Sequence, residues 1–294
     1  MDNKGEVREF LVSRRARLTP EMVGLPTYGA KRRVPGLKRE EVAQLAGVSI
    51  DYYTRVERGN LHGVSESVLG SIARALRLEQ DEREHLYALA RAQVRRVPAR
   101  RRPPVQVVPD SIRAILDGMV DVPACVVNGR MELVAANRLG RALYAPVFDD
   151  AVHVPGHARF VFLNPAARQF WVDWENAATE VVGALRAAAA RDPYDKALTD
   201  LIGELVTRSP EFRTWWASHD VFVHRGGLKR IAHPAVGRLD LTYDVLTLPQ
   251  HPDLSIVAYT APAGSPSHDG LRMLATWAAT LDQKESVAPV APEH

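Results

Sequence analysis

The sequence predicts two folds in series, an all-helical N-terminal domain and then an α + β domain in which an antiparallel sheet is interleaved with helices. Three observations carry this. Apolar residues recur at helical spacing from the N-terminus to about residue 91. Alternating, strand-like runs begin only after about residue 110. Between them, "RRVPARRRPPVQVVP" (95–109) holds five arginines and four prolines, and proline keeps such a stretch extended and non-helical. The expected boundaries are therefore 1–94 for the helical domain, 95–109 for a linker and 110–282 for the second domain. A Pro/Ala-rich tail, 283–294, is expected to be disordered.

The bulk numbers agree with two globular domains. The chain has 294 residues, 46% hydrophobic and 25% charged. No apolar run approaches the roughly 18 residues of a membrane span, and the N-terminus lacks the apolar core of a signal peptide. Cys125 is the only cysteine, which excludes a disulfide framework and a thiolate metal cluster and points to a reducing cytoplasm. The net charge of +3 hides an asymmetry: residues 1–103 hold 21 Lys and Arg against 13 Asp and Glu, the remainder 17 against 22. A basic first third is what a polyanion-binding module requires, although a solvated basic surface has the same composition.

Within the first domain, "GLKREEVAQLAGVSIDYYTRVERG" (36–59) encodes two short helices around a small-residue break. Val42, Leu45 and Ala46 form an apolar stripe on the first. Ala43 and Gly47, four apart, remove bulk where another helix could cross, and Gly47 suits a left-handed helix end. Ser49 is positioned to cap the second helix, with Asp51 in its first turn. Tyr53 and Val56 face inward, whereas Ile50, Asp51, Tyr52, Arg55 and Arg58 lie on the other side, and Gly59 ends the helix. Two helices joined by three or four residues, the second presenting polar and aromatic groups, make a helix-turn-helix. The flanks supply further helices: "VREFLVSRRARL" with Val7, Phe10, Leu11 and Leu18 inward, "SESVLGSIARALRL" capped by Ser65, and "DEREHLYALAR".

Residues 6–91 resemble the xenobiotic-response-element (XRE, Cro/C1-type) DNA-binding domain of bacterial repressors, and "KREEVAQLAGVSIDYYTRVERG" resembles its MmyB-like branch. The resemblance implies a five-helix domain whose third helix enters the major groove of double-stranded DNA. By position it implies base-edge contacts from Ile50, Asp51 and Arg55, with Ser49 beside them, and phosphate contacts from Arg39, Tyr52 and Arg58. It also implies an internal salt bridge from Arg14 or Arg15 to Glu57. Lys38 departs from the usual Ser or Thr cap, a loss of about 1 kcal/mol that Lys38 and Arg39 offset if they reach phosphates. The inserted loop "GLPTYGAKRRVPGL" brings Lys31, Arg32 and Arg33 as further backbone contacts. A helix-turn-helix that only dimerises or docks a protein partner is the alternative.

In the second half, "PACVVNGRMELVAAN" places two strands around Asn128-Gly129, a dipeptide favoured in type I′ turns. "NPAARQFWVDWENAATEVVGALRAA" reads as one helix with Asn164 as cap and Pro165 in its first turn. "KALTDLIGELVTRSPEFRTWWASHD" gives a helix broken at Ser209-Pro210. Strands return in "DVFVH", "LKRIA", "GRLDLTYDVLTL" and "LSIVAYT", where Leu239, Leu241, Tyr243 and Val245 alternate with polar residues. This order resembles a PAS-like sensor and the ligand-binding half of the MmyB-like family, a likeness covering about residues 5–275. It implies a pocket for a small lipophilic ligand such as a fatty acid. Phe162, Phe170, Trp171, Trp174, Trp215, Trp216 and Tyr243 are the candidate lining, although aromatic residues at helical spacing also build ordinary cores. His219, His224, Lys229, Arg230 and His233 are candidates for holding a carboxylate, with His219 foremost.

No catalytic constellation stands out. Pro155-Gly156 between His153 and His157 excludes a helical metal face, and no G-x-S-x-G, phosphate-cradling glycine loop or zinc spacing occurs. The expectation is a non-enzymatic, ligand-responsive transcription regulator without cofactor or metal. It acts as a homodimer on an inverted-repeat operator in the bacterial cytoplasm, associated with the nucleoid and not with a membrane.

Overall fold

The structure is a computed structural model that describes residues 3–26, 36–94, 107–149, 154–218 and 226–287. Lys31, Arg32 and Arg33, most of the linker, His153, His219, His224 and the expected strand 220–224 lie outside the described residues. The chain divides into two units, Met1–Arg101 with Val182–Val223, and Arg102–Val181 with His224–His294.

The first unit contains α1 (Asn3–Arg17), a 3-10 turn (Glu21–Val23), α2 (Arg39–Ala46), α3 (Ile50–Glu57), α4 (Glu66–Ala75) and α5 (Gln80–Val94). Its core gathers Val7, Phe10 and Leu11 from α1, Val42 and Ala43 from α2, Tyr53 and Val56 from α3, Ile72 from α4 and Leu86 from α5. Leu45 is not part of the inward stripe of α2. The buried set is Val42, Ala43 and Ala46, and Leu45, rotated off that face, is exposed beside the turn. Gly47 is likewise not a close-packing point, because a Cβ there would meet nothing. Its role is conformational: φ is +67°, and Val48 N–H reaches back to the Ala43 carbonyl at 3.0 Å, ending the helix in a left-handed cap. The tight crossing is made instead by Gly59, at φ +87°, where any Cβ would overlap the Lys4 backbone of α1.

The second unit begins with α6 (Asp110–Gly118), β1 (Ala124–Asn128), β2 (Leu133–Ala136), α7 (Arg138–Leu143), α8 (Ala145–Phe148), α9 (His157–Leu163) and α10 (Ala167–Phe170). Next comes α11 (Trp174–Arg191), whose turns to Val181 belong to the second unit and whose later turns belong to the first. The first unit continues with α12 (Lys196–Arg208) and α13 (Pro210–Ala217), the latter capped by Ser209 with Pro210 at its first position. The second unit then closes with β3 (Gly226–His233), β4 (Gly237–Thr247), β5 (Leu254–Thr260) and α14 (Pro266–Val287). All pairings are antiparallel in the order β2-β1-β5-β4-β3, the α + β sensor architecture expected from the sequence.

Asn137 ties the start of this sheet together. Its buried side chain accepts from Gly140 N–H at 2.7 Å and Ala124 N–H at 3.1 Å, and donates to the Met119 and Val122 carbonyls. Gly140 has no room for a side chain, since a Cβ would overlap the Ala124 carbonyl.

Three local expectations are corrected. The β1–β2 connection is not a two-residue type I′ turn: Met131 N–H bonds the Asn128 carbonyl at 2.9 Å, and Met131, not Gly129, takes the left-handed conformation at φ +60°. The loop is thus a three-residue turn, held by Asn128 Oδ1 accepting from the Arg130 and Glu132 N–H groups. The stretch expected as one helix from Asn164 is two, α10 and α11. Asn164 closes a local turn on Ala166 N–H, and the backbone then leaves the helix so that Trp171 bridges Ile231 and Val172 N–H bonds the Arg230 carbonyl at 3.1 Å. Finally, α14 continues to Val287, into the segment expected as tail.

Candidate nucleic-acid interface and ligand site

Ser49 accepts the Tyr52 N–H at 3.1 Å and so fixes the start of α3. From there the helix divides into two faces. Tyr53, Val56 and Glu57 point inward, while Asp51, Arg55 and Arg58 are exposed and Ile50 is 51% exposed. Tyr52 is half-buried, and the Arg55 guanidinium carbon stands 4.7 Å over its ring, so the two present a paired cation and aromatic face.

Behind this face, Glu57 is 1% exposed and serves two arginines. Arg15 Nε and Arg39 Nε each lie 2.7 Å from its carboxylate, and Arg15 also donates to the Leu37 carbonyl at 2.6 Å. Of the two candidates for the internal bridge, Arg15 is the one that reaches Glu57, and Arg14 pairs with Glu82 at 2.7 Å. Burial alone would raise the Glu57 carboxyl, but the hydrogen bonds and charges of Arg15 and Arg39 outweigh it and hold the group below its ordinary range. Arg39 remains 47% exposed while making this contact. Lys38 precedes α2 without a side-chain cap of its own; Glu41 instead accepts the Lys38 N–H at 2.6 Å, and the Lys38 ammonium pairs with Glu40. Half of a capping box thus stands where a Ser or Thr cap is missing.

In the second unit, Phe170, Trp171 and Tyr243 are buried within one aromatic cluster, with Phe170 and Trp171 ring centroids 5.0 Å apart. Phe162 packs on Trp174 at 6.0 Å, and Trp174 Nε1 donates to the Val161 carbonyl. Trp215 and Trp216 are not in this cluster: they belong to the first unit, where Trp216 stacks on Phe212 at 5.5 Å and the Arg186 guanidinium carbon lies 4.3 Å over its ring. Arg230 pairs with Asp173 at the surface, and His233 is buried against the Ala142 carbonyl at 3.1 Å.

The cluster contains residues that the aromatic count did not select. Tyr144 donates to Tyr259 across 2.6 Å. His157 sits edge-on to Tyr144, and burial, with the Lys229 charge second, lowers its imidazole to about 3, so it is neutral. Lys229 shares the buried face of β3 with Ile231 and His233, 9% exposed. Its ammonium lies 5.3 Å from the Trp171 ring centroid and 5.0 Å from that of Tyr243, and pairs with Glu180 of α11. Burial lowers this ammonium to about 7, and the Glu180 carboxylate is the counter-charge a protonated lysine here requires. Lys229 is one of the sequence candidates for holding a carboxylate, and the alternation of "LKRIAH" puts it in phase with the inward residues.

Two family models match the chain. A helix-turn-helix domain matches residues 9–86, which include α2 and α3. The MmyB-like transcription regulator ligand binding domain matches residues 108–274, more than half of the 294 residues. The chain belongs to the MmyB-like transcription regulators. A search of the curated proteins finds no match. This MmyB-like regulator thus joins a DNA-binding helix-turn-helix to a ligand-binding domain, an architecture of ligand-responsive transcription control. The ligand-binding match runs through α12 and α13, which belong to the first unit. Among the described residues, no helix is long and apolar enough to cross a membrane, and no three His, Cys, Asp or Glu side chains gather as a metal site.

Proposed function

We propose that the protein is a sequence-specific, non-enzymatic transcription regulator of the bacterial cytoplasm, bound to operator DNA through α3 and tuned by a small lipophilic ligand in the sheet unit. The observation that carries this reading is the division of α3. Ile50, Asp51 and Arg55 are exposed on a helix whose opposite side is fixed in the core by Tyr53, Val56 and Glu57. An arginine held in this way suits a bidentate fork to guanine O6 and N7, and an exposed isoleucine suits a thymine methyl. Ser49, Tyr52, Arg58, Lys38 and Arg39 frame that face as backbone contacts, with Arg32 and Arg33 assigned to the same task from sequence. The protein acts as a homodimer on an inverted repeat, because two-fold symmetry multiplies two weak half-site contacts.

Selection of bound sequences from a random duplex pool tests this directly and reports half-site symmetry. Arg55→Ala is expected to relax discrimination at one base pair by about 1–3 kcal/mol while leaving affinity for random duplex near the wild-type value. Unchanged base preference in that variant would overturn the assignment of α3. Arg39→Ala is expected to weaken binding to all sequences alike and to reduce the salt slope by about one counterion, read by fluorescence anisotropy across a salt series.

Exposed Leu45 and Ile50 near the α2–α3 turn favour one other reading, a helix-turn-helix that docks a protein partner. That reading predicts almost no counterion-release slope with random duplex.

A further inference from the structure

The end of α3 is held from outside the helix-turn-helix. Gly59 N–H returns to the Val56 carbonyl at 2.9 Å and Asn60 N–H to the Arg55 carbonyl at 3.2 Å, the two bonds of a Schellman ending with Gly59 left-handed at φ +87°. Asn60 thereby fastens the backbone of Arg55. The peptide groups on either side of Asn60 are both taken by one side chain of α5. Gln93 Nε2 donates to the Gly59 carbonyl at 2.7 Å, and Gln93 Oε1 accepts the Leu61 N–H at 2.9 Å. The other Nε2 hydrogen goes to Asn3 Oδ1 of α1, also at 2.7 Å.

The chemistry of this contact admits few substitutes. A carbonyl only accepts and a backbone N–H only donates, so the two ends of the Gln93 amide cannot be exchanged. Gly59 and Leu61 are buried, and buried backbone groups are almost always paired. Gln93 lies beyond the helix-turn-helix match, which ends at residue 86, and before the ligand-binding match, which begins at residue 108. Neither match assigns it a role.

We propose that Gln93 is a positioning residue for DNA readout, acting through the ending of α3 on Arg55. Gln93 clamps the peptides around Asn60, Asn60 holds the Arg55 carbonyl, and the direction in which the Arg55 side chain leaves the helix is fixed as a result. This deepens the preceding reading and rests on Arg55 contacting a base. A bidentate fork must meet guanine O6 and N7 together, so it suffers when its backbone support loosens. Phosphate contacts carry no sequence information, so their sum is untouched. Loss of Gln93 therefore costs discrimination and spares general affinity.

The test uses the full chain, an operator selected by wild type from a random duplex pool, and random duplex as reference. Gln93→Met, which removes both hydrogen-bonding ends at similar length, is expected to weaken operator binding by about fivefold. Its affinity for random duplex and its salt slope should stay at the wild-type values. A merely structural role is separated by a double-mutant cycle: in the Arg55→Ala background, Gln93→Met should weaken operator binding no further. Should Gln93→Met fail to fold by circular dichroism, Gln93→Glu serves instead. It keeps an acceptor for Leu61 N–H, sets a carboxylate against the Gly59 carbonyl and should lose operator affinity in the same way. Undiminished operator preference in a folded Gln93 variant overturns the positioning role, as does an equal loss with and without Arg55. A wild type that selects no operator overturns the DNA reading of α3 along with it.

Discussion

Glu57→Ala is expected to destabilise the helical unit by about 3 kcal/mol, a loss of about 10 °C in melting temperature for a unit of this size. The substitution removes the common anion of Arg15 and Arg39, of which Arg15 is largely buried and is left with the Leu37 carbonyl. It also takes away the group that fixes the end of α3 against α1 and α2. The pH dependence has a defined sign. A carboxyl held below its unfolded value contributes stability that is complete above the ordinary carboxylate range and is lost as pH falls through the depressed folded value. Wild type should therefore lose this contribution on acidification, whereas Glu57→Ala should lack it at every pH. Melting curves at neutral pH and at successively lower values check both parts. An Ala variant that melts with wild type at neutral pH would remove the dual bridge from the account.

The second large effect is expected at Arg186. This residue of α11 is fully buried, pairs with Glu6 of α1 at 2.6 Å, donates to the Trp216 carbonyl and lies over the Trp216 ring. Arg186→Ala deletes a buried charge, a fork of donors and the volume between two helices together. A loss of about 3–5 kcal/mol follows. Arg186→Lys restores the charge but not the planar fork, so it should recover only part of that loss. Thermal melts followed through tryptophan fluorescence will read the change, as Trp216 is the reporter stacked against the site. Because Arg186 lies within the ligand-binding family match yet contacts α1, duplex affinity should fall with stability in the Ala variant. A variant that melts normally would show that the Glu6 pair contributes little.

Much of this architecture was legible because local rules and tertiary packing agree. Ser49 and Ser65 cap the helices they were expected to cap, and Tyr53 and Val56 are inward as the three-residue interval requires. Leu239, Leu241 and Tyr243 alternate inward along β4 as period two demands. The failures have a common physical origin in long-range contacts. Leu45 fits a helical stripe, but which of several neighbouring apolar positions faces the core depends on where α4 lies. The break after α10 is set by hydrogen bonds to β3, some sixty residues away in sequence. Gly129 loses the left-handed position to Met131 because the Asn128 side chain organises a longer turn.

The candidate sites were legible to different degrees for the same reason. The outward side of α3, with Ile50, Asp51, Tyr52, Arg55 and Arg58, follows from its inward residues alone, whereas the choice of Ile50, Asp51 and Arg55 on it comes from the family resemblance. The aromatic cluster could not be partitioned in this way: Trp216 and Trp171 sit in equally aromatic segments, yet belong to different units. Glu180, on the other hand, looks like an ordinary surface residue of a helix. Only the sheet position of Lys229 reveals that it points at a buried ammonium.

The doubled hold on Glu57 matters for what happens when a duplex arrives. Arg39 is the accessible member of the trio, and a phosphate that draws it away leaves Arg15 in place as counter-ion to the hidden carboxylate. Under the proposed phosphate contact of Arg39, redundancy of this kind would let one guanidinium be lent to a polyanion without leaving the hidden carboxylate unbalanced, so that the core behind α3 would stay rigid while its rim changed allegiance.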